Sequence, residues 1–356
     1  MKRTPLYEKH LSSGAKMVDF AGWEMPVYYS GILEEHLHTR SRAGLFDICH
    51  MGEFFFKGKD AQRELDKLVT CRLDDMPDGK CRYGFFLSDD GGILDDLIVF
   101  RFSREEFMVV VNAGTIEKDR SWVSGKIKGN VDFSDRSDLT AKLDVQGPAS
   151  QAVMVELAGK DAVLSLKRYS FTNVKIDGVD VILGRTGYTG EIGYELFFDV
   201  PAAPAMWDRL MAFPDIKPIG LGARDTLRLE MGYPLYGSDI YEEVTPLDAN
   251  LGRFVFMEKD FTGREALLKR KPDKVLTGFL GEGRRVARHG FSVVSGGKVS
   301  GVVTSGAFSP CMKRAIGLCY VDKNEYSPGR EVTLTDGKVS IQAVLENVPL
   351  LKRGLS

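Results

Sequence analysis

The pattern of apolar and polar positions is clearest in residues 81–112, CRYGFFLSDDGGILDDLIVFRFSREEFMVVVN. Runs rich in Phe, Ile, Leu and Val flank Asp89-Asp90-Gly91-Gly92, and glycine supplies the positive φ of a tight hairpin turn. A third run, 107–111, follows the polar loop Ser103-Arg104-Glu105-Glu106, so the segment predicts a three-stranded meander. Before it, the pattern predicts a helix over about 32–43 ended by Gly44, strands at 45–48 and 54–56, and a helix from Gly58 through 68. After it come a helix over about 115–123 with Thr115 as N-cap, a strand at 141–146, and a hairpin of 171–176 with 179–185 about Asp177-Gly178. A strand at 194–200 and helices near 203–213 and 220–230 follow. This order reads as α+β with antiparallel pairing, not as alternating βα units. Beyond about 275 short strands separated by glycine-bearing turns predict a small all-β barrel or sandwich, joined through the charged, Pro272-containing stretch 269–274.

Against this pattern, Asp95-Asp96 is an oddity: two carboxylates inside an apolar strand. Successive strand side chains point to opposite faces, so the two cannot enter one pocket. A carboxylate among apolar neighbours must be paired, hydrogen-bonded or turned to a polar ligand. With a two-residue loop at Asp90-Gly91, Tyr83 falls opposite Ile98 and so on the Asp96 face, and Asn112 can reach the same pocket. A ligand-facing acid and a structural aspartate satisfied by backbone amides both fit this pattern.

Glycines at 184, 187, 190 and 193 recur every third residue around Arg185-Thr186-Gly187-Tyr188-Thr189-Gly190-Glu191. That spacing is no nucleotide-phosphate loop. It suits either backbone approach to a flat ligand, with Tyr188 and Glu195 adjacent, or an ordinary glycine-rich hairpin loop. Asp225 and Arg228 stand one helical turn apart and can pair, which carries weight only if the pair is buried. Arg284, Arg285, Arg288 and His289 form a basic cluster that fits a solvated surface, an anionic ligand tail or an acidic partner.

Composition narrows the class. A chain of 356 residues suggests more than one domain, and a formal net charge of −2 argues against a general nucleic-acid binder. No apolar run reaches membrane-spanning length, and MKRTPLYEKH lacks the apolar core of a secretory signal. The five cysteines form no CxxC pair, and His36 and His38 do not share a helix face. The expectation is a reduced, cytoplasmic, metal-free protein, away from nucleic acid and membrane.

Seven segments carry a resemblance that spans nearly the whole chain. They are Phe20-Ala21-Gly22-Trp23-Glu24-Met25-Pro26, Ala43-Gly44-Leu45-Phe46-Asp47, His50-Met51-Gly52-Glu53, Gly91-Gly92-Ile93-Leu94-Asp95-Asp96-Leu97, Arg185 to Glu191, Gly220 to Glu230, and Thr304-Ser305-Gly306-Ala307-Phe308-Ser309-Pro310. In order and spacing the chain resembles the aminomethyltransferases, or T-proteins, of the glycine cleavage system. The resemblance implies a folate-binding body around a central hole, residues 1–274 in two intertwined α+β subdomains, the second over about 51–135. It implies a C-terminal β-barrel domain over 275–356, and a protein that is monomeric or weakly dimeric. The implied activity is tetrahydrofolate-dependent release of ammonia from the aminomethyl-lipoyl arm of H-protein, giving methylenetetrahydrofolate and the dihydrolipoyl arm. Asp96 is then the catalytic carboxylate, and Met51, Tyr83, Asn112, Tyr188, Glu195 and Arg228 surround the folate. For Arg228 a salt bridge holding the pocket is a rival role. Arg288 is implied as a contact for the arriving arm or the folate tail. The family's aromatic pair near the C-terminus is replaced by Leu350 and Leu351, which lack a hydroxyl. Rival readings on the same scaffold are a folate-dependent methyltransferase or demethylase of a methylated small molecule, and a non-catalytic folate-binding protein.

Overall fold

Four sheets organise the protein, described here from a computed structural model over residues 1–352; positions 353–356, the end of the expected C-terminal segment, lie outside the described residues. The chain divides into two compact units, one of residues 1–86 and 96–224, the other of 87–95 and the residues from 225 on.

In the first unit, a six-stranded sheet runs in the order Phe171–Ile176, Val179–Gly184, Gly193–Asp199, Thr140–Gln146, Ala43–Asp47 and Ile216–Pro218. Its pairs are antiparallel except the last. The predicted hairpin closes at Asp177-Gly178, both at positive φ (48° and 85°), as a primed two-residue turn requires. A five-stranded sheet has the order Lys80–Leu87, Ile93–Ser103, Glu106–Val111, Gly52–Lys57 and Asp132–Asp135, which contains the predicted meander. Phe55, Phe100, Met108 and Val110 from this sheet meet Phe171 and Phe197 from the six-stranded one. The ring of Phe100 lies 5.2 Å from that of Phe171 and 5.3 Å from that of Phe197, an aromatic seam joining the two sheets. A small sheet of Lys2–Arg3, Trp23–Tyr28 and Lys16–Phe20 completes the unit.

In the second unit, six strands between Lys274 and Glu346 close into a barrel, as the C-terminal texture predicted. Phe279, Val293, Val303, Val321, Leu334 and Leu345 are among the side chains filling it. Leu350 is 4 % exposed and packs where Gly278 leaves room, while Leu351 donates its N–H to the Glu230 carbonyl at 2.9 Å. Leu350 and Leu351 are therefore held within their own unit.

Three local expectations are corrected. The helix predicted to end at Gly44 stops at Ser41, and Gly44 lies inside the strand Ala43–Asp47. A Cβ there would come 2.5 Å from Ile219, so that glycine serves close packing rather than capping. Thr115 stands at the N-cap of the helix Ile116–Lys126 as expected, but its side chain makes no capping bond; its hydroxyl donates back to the Asn112 carbonyl at 2.9 Å. The meander's first turn is a three-residue loop, closed by Ser88 and Gly92 with Gly91 at φ 83°. Tyr83 nonetheless reaches Asp96.

Candidate functional site

Asp96 is half-buried on its strand, and Asp95 beside it is fully buried, which is the split that strand alternation demands. Two donors orient the Asp96 carboxylate. Tyr83 Oη donates to Oδ2 at 2.9 Å, and Asn112 Nδ2 donates to Oδ1 at 2.8 Å and to the Asp96 carbonyl at 3.1 Å. Burial, and then the charge of Asp96, push the Tyr83 phenol well above its usual range. That tyrosine stays a donor, so the acid is fixed in place.

A second group of polar side chains comes from the facing sheet. Glu195, on Gly193–Asp199, is 4 % exposed; Thr186 Oγ1 donates to it, and Lys142 Nζ lies 3.3 Å away. The same ammonium lies 3.6 Å from the Met51 sulfur and 4.9 Å from the Phe197 ring centre. Asp144 faces Glu195 across the ladder and pairs with Arg224 at 3.2 Å. Arg224 in turn lies over the Tyr188 ring, 4.8 Å from its centre. Tyr188 and Tyr169 both add to the upward shift of Tyr83, which ties this group to the Asp96 triad. Thus Tyr83, Asp96 and Asn112 form one hydrogen-bonded group, and Met51 and Glu195 meet at Lys142 in a second.

Nearby, His50 and Glu53 are buried. Burial pushes the His50 ring down to about 4, with Arg224 and Lys142 opposing its protonation, so the ring stays neutral near neutral pH. Neither Glu53 carboxyl oxygen has a hydrogen-bond partner among the described residues, and burial pushes this acid well above the usual carboxylate range. An unpartnered buried carboxyl is held far more cheaply with its proton than without it.

Arg228 and Arg288 belong to the second unit. Arg228 is 2 % exposed and gives its fork to Asp225 (2.8 Å), the Tyr233 carbonyl (2.9 Å), Asp239 (2.6 Å) and Ser305 (2.9 Å). The helix-turn pair read from the sequence is therefore the edge of a buried network, and its geometry supports the salt-bridge role. Arg288 is exposed in the turn before Phe291.

Two glycines of the glycine-rich stretch have a packing role. A Cβ at Gly187 or Gly193 would come 2.1 Å or 2.0 Å from the Gln146 amide. Gln146 donates to Asp144 and to the Thr186 carbonyl (3.1 Å) and accepts from Thr189 (2.8 Å). These glycines make room for one buried amide that laces the loop to its strand. Sequence reasoning missed Lys142, Asp144, Gln146, Glu53, Thr186 and Arg224. The signal for three of them was present: polar residues at 142, 144 and 146 alternate through a strand whose other positions are apolar or Thr140.

Comparison with known proteins follows the same lines. The family model of the GCVT N-terminal domain matches residues 6–259, and that of the glycine cleavage T-protein C-terminal barrel domain matches 274–352. An aminomethyltransferase of Thermotoga petrophila is 43 % identical over 99 % of this chain and 98 % of its own length. One of Halothermothrix orenii is 42 % identical over 99 % of this chain and its full length. The crystal structure of glycine cleavage system aminomethyltransferase T from Bartonella henselae superposes with a TM-score of 0.91 at 34 % identity, covering 98 % of both chains.

Proposed function

The chain belongs to the glycine cleavage T-protein family of aminomethyltransferases and is a transferase, and from that premise we propose that it transfers the one-carbon unit of an aminomethylated lipoyl arm, carried by H-protein, to tetrahydrofolate. Ammonia leaves, and methylenetetrahydrofolate and the dihydrolipoyl arm are the other products. The observation that carries this reading is the Asp96 carboxylate held by Tyr83 and Asn112. Tetrahydrofolate supplies the nucleophilic nitrogen; the protein's task is to place it and to stabilise the positive charge that develops there.

Asp96 suits that task because its orientation is set before the ligand arrives, and preorganised charge needs no rearrangement at the moment of reaction. A pterin is flat with an amide-like edge. Glu195 offers acceptors to its N–H groups, Asn112 an amide, and Tyr188 and Met51 apolar faces. Arg228 fixes the buried network of the second unit in which it sits. Arg288, exposed and cationic, is free to meet the arriving arm or the folate tail.

The test is release of ammonia and methylenetetrahydrofolate from aminomethylated H-protein, with the wild-type protein beside Asp96→Asn. We expect the variant to turn over roughly 10²–10³-fold more slowly, the range seen when one preorganised electrostatic group is removed, with folate affinity nearly kept. A wild-type protein that binds folate yet leaves the aminomethyl arm intact would overturn the assignment and favour a small-molecule methyltransferase or demethylase.

A further inference from the structure

The strand Thr140–Gln146 places Lys142, Asp144 and Gln146 on one side, and Asp144 stands directly opposite Glu195. Like charges at such positions repel, and each carboxylate has recruited its own cation: Arg224 at 3.2 Å from Asp144, Lys142 at 3.3 Å from Glu195. The two cations differ. The Lys142 side chain is 2 % exposed, whereas that of Arg224 is 15 % exposed and also covers the Tyr188 ring. Arg224 thus links a buried acid to an aromatic face of the site.

We propose that Asp144 is a positioning residue: ionised, it holds Arg224 against Tyr188, and on taking up one proton it releases that cation, so ligand capture weakens on acidification. The identity of the ligand rests on the folate reading above; the switch itself rests on the four side chains. With both acids ionised, Asp144, Glu195, Lys142 and Arg224 are balanced in charge. One proton leaves an excess cation, and the more exposed Arg224 is the one able to turn to water.

The surroundings of Asp144 raise the pH at which it takes up that proton. Lys142 and Gln146 flank it on its own strand, Glu195 faces it from Gly193–Asp199, and Arg224 reaches it from the helix Leu221–Glu230. On its other side the strand Ala43–Asp47 sets the uncharged Phe46 opposite, and His50 and Glu53 lie close to Lys142. Burial first, then the facing Glu195, push the Asp144 carboxyl above the usual carboxylate range, against the pull of Arg224, Gln146 and Lys142.

The experiment has a ligand-free arm and a binding arm, both on the full chain. In the first, carbon-13 signals of labelled Asp144 and of the Tyr188 ring are followed by NMR from pH 5.5 to 8.5. We expect both to move with one shared midpoint, and the Tyr188 signal to stand still in Asp144→Asn. In the second, affinity for tetrahydrofolate is measured over the same range. We expect it to fall below the midpoint by no more than about tenfold per pH unit, the limit for one linked proton, and to be low and flat in Asp144→Asn. Asp144→Glu keeps a titrating group and should restore a slope if the asparagine variant folds poorly. The inference is overturned if Asp144 stays ionised across the range, or if Tyr188 ignores it. It is equally overturned if Asp144→Asn weakens binding by a constant factor with the pH profile unchanged. Absence of folate binding by the wild type would sink the folate reading, and the ligand-free arm would still decide the switch.

Discussion

Arg228 shows how one side chain separates stability from binding. Its guanidinium is the counter-charge of Asp239, which is fully buried and also accepts from the Leu235 N–H and Thr304. Arg228→Met should strand that carboxylate and cost about 3–5 kcal/mol, as breaking a buried ion pair does; urea unfolding would measure it. Adding Asp239→Asn should recover part of the loss. Should the double variant recover stability yet lose folate affinity, Arg228 would be a folate contact after all. His50 makes a second prediction. Its ring is held down to about 4 against an ordinary 6.5, so the folded state binds fewer protons than the unfolded state between those values. The associated stability is fully present above pH 6.5 and is lost as pH falls towards 4, about 3 kcal/mol in all. The stability gap between the wild type and His50→Asn should therefore close over that window.

The strand Thr140–Gln146 and the loop at 185–192 behave as one element, because Gln146 occupies the volume left by Gly187 and Gly193. Gly193→Ala should cost about 1–3 kcal/mol, the usual range for overpacking, and a Gly193→Ala/Gln146→Ala double variant should regain part of it. Thermal unfolding of the set would show whether the amide and the glycines are coupled. If the single variant is as stable as the wild type, the loop has room that its geometry denies. The N-terminal segment is pinned by similar means. His10 Nε2 meets Asp47 at 2.8 Å, Thr4 donates to the same acid at 2.6 Å, and Tyr29 meets His10 Nδ1 at 2.9 Å, all around one strand end.

For the whole molecule, the C-terminal barrel and its tail pose the question raised by the missing aromatic pair. Leu350 fills space over Gly278 and is nearly inaccessible, so Leu350→Ala should cost about 2–5 kcal/mol through transfer and cavity terms. That loss would be read in the melting temperature. The antiparallel α+β body, the hairpin at Asp177-Gly178 and the C-terminal barrel were legible in the sequence, since period-two alternation and turn residues are local signals. Asp96 was legible for the same reason: a charge in an apolar strand stands out wherever the chain goes. Gly44 misled because a glycine after a helical stretch looks like a cap, whereas its use is set by Ile219, far along the chain. Lys142, Asp144 and Arg224 became a site only through pairing and packing, which place Asp144 opposite Glu195 and bring Arg224 to Tyr188. Local chemistry is written in neighbouring residues. Charge balance among buried groups depends on which strands become neighbours, and that is settled only when the sheets form.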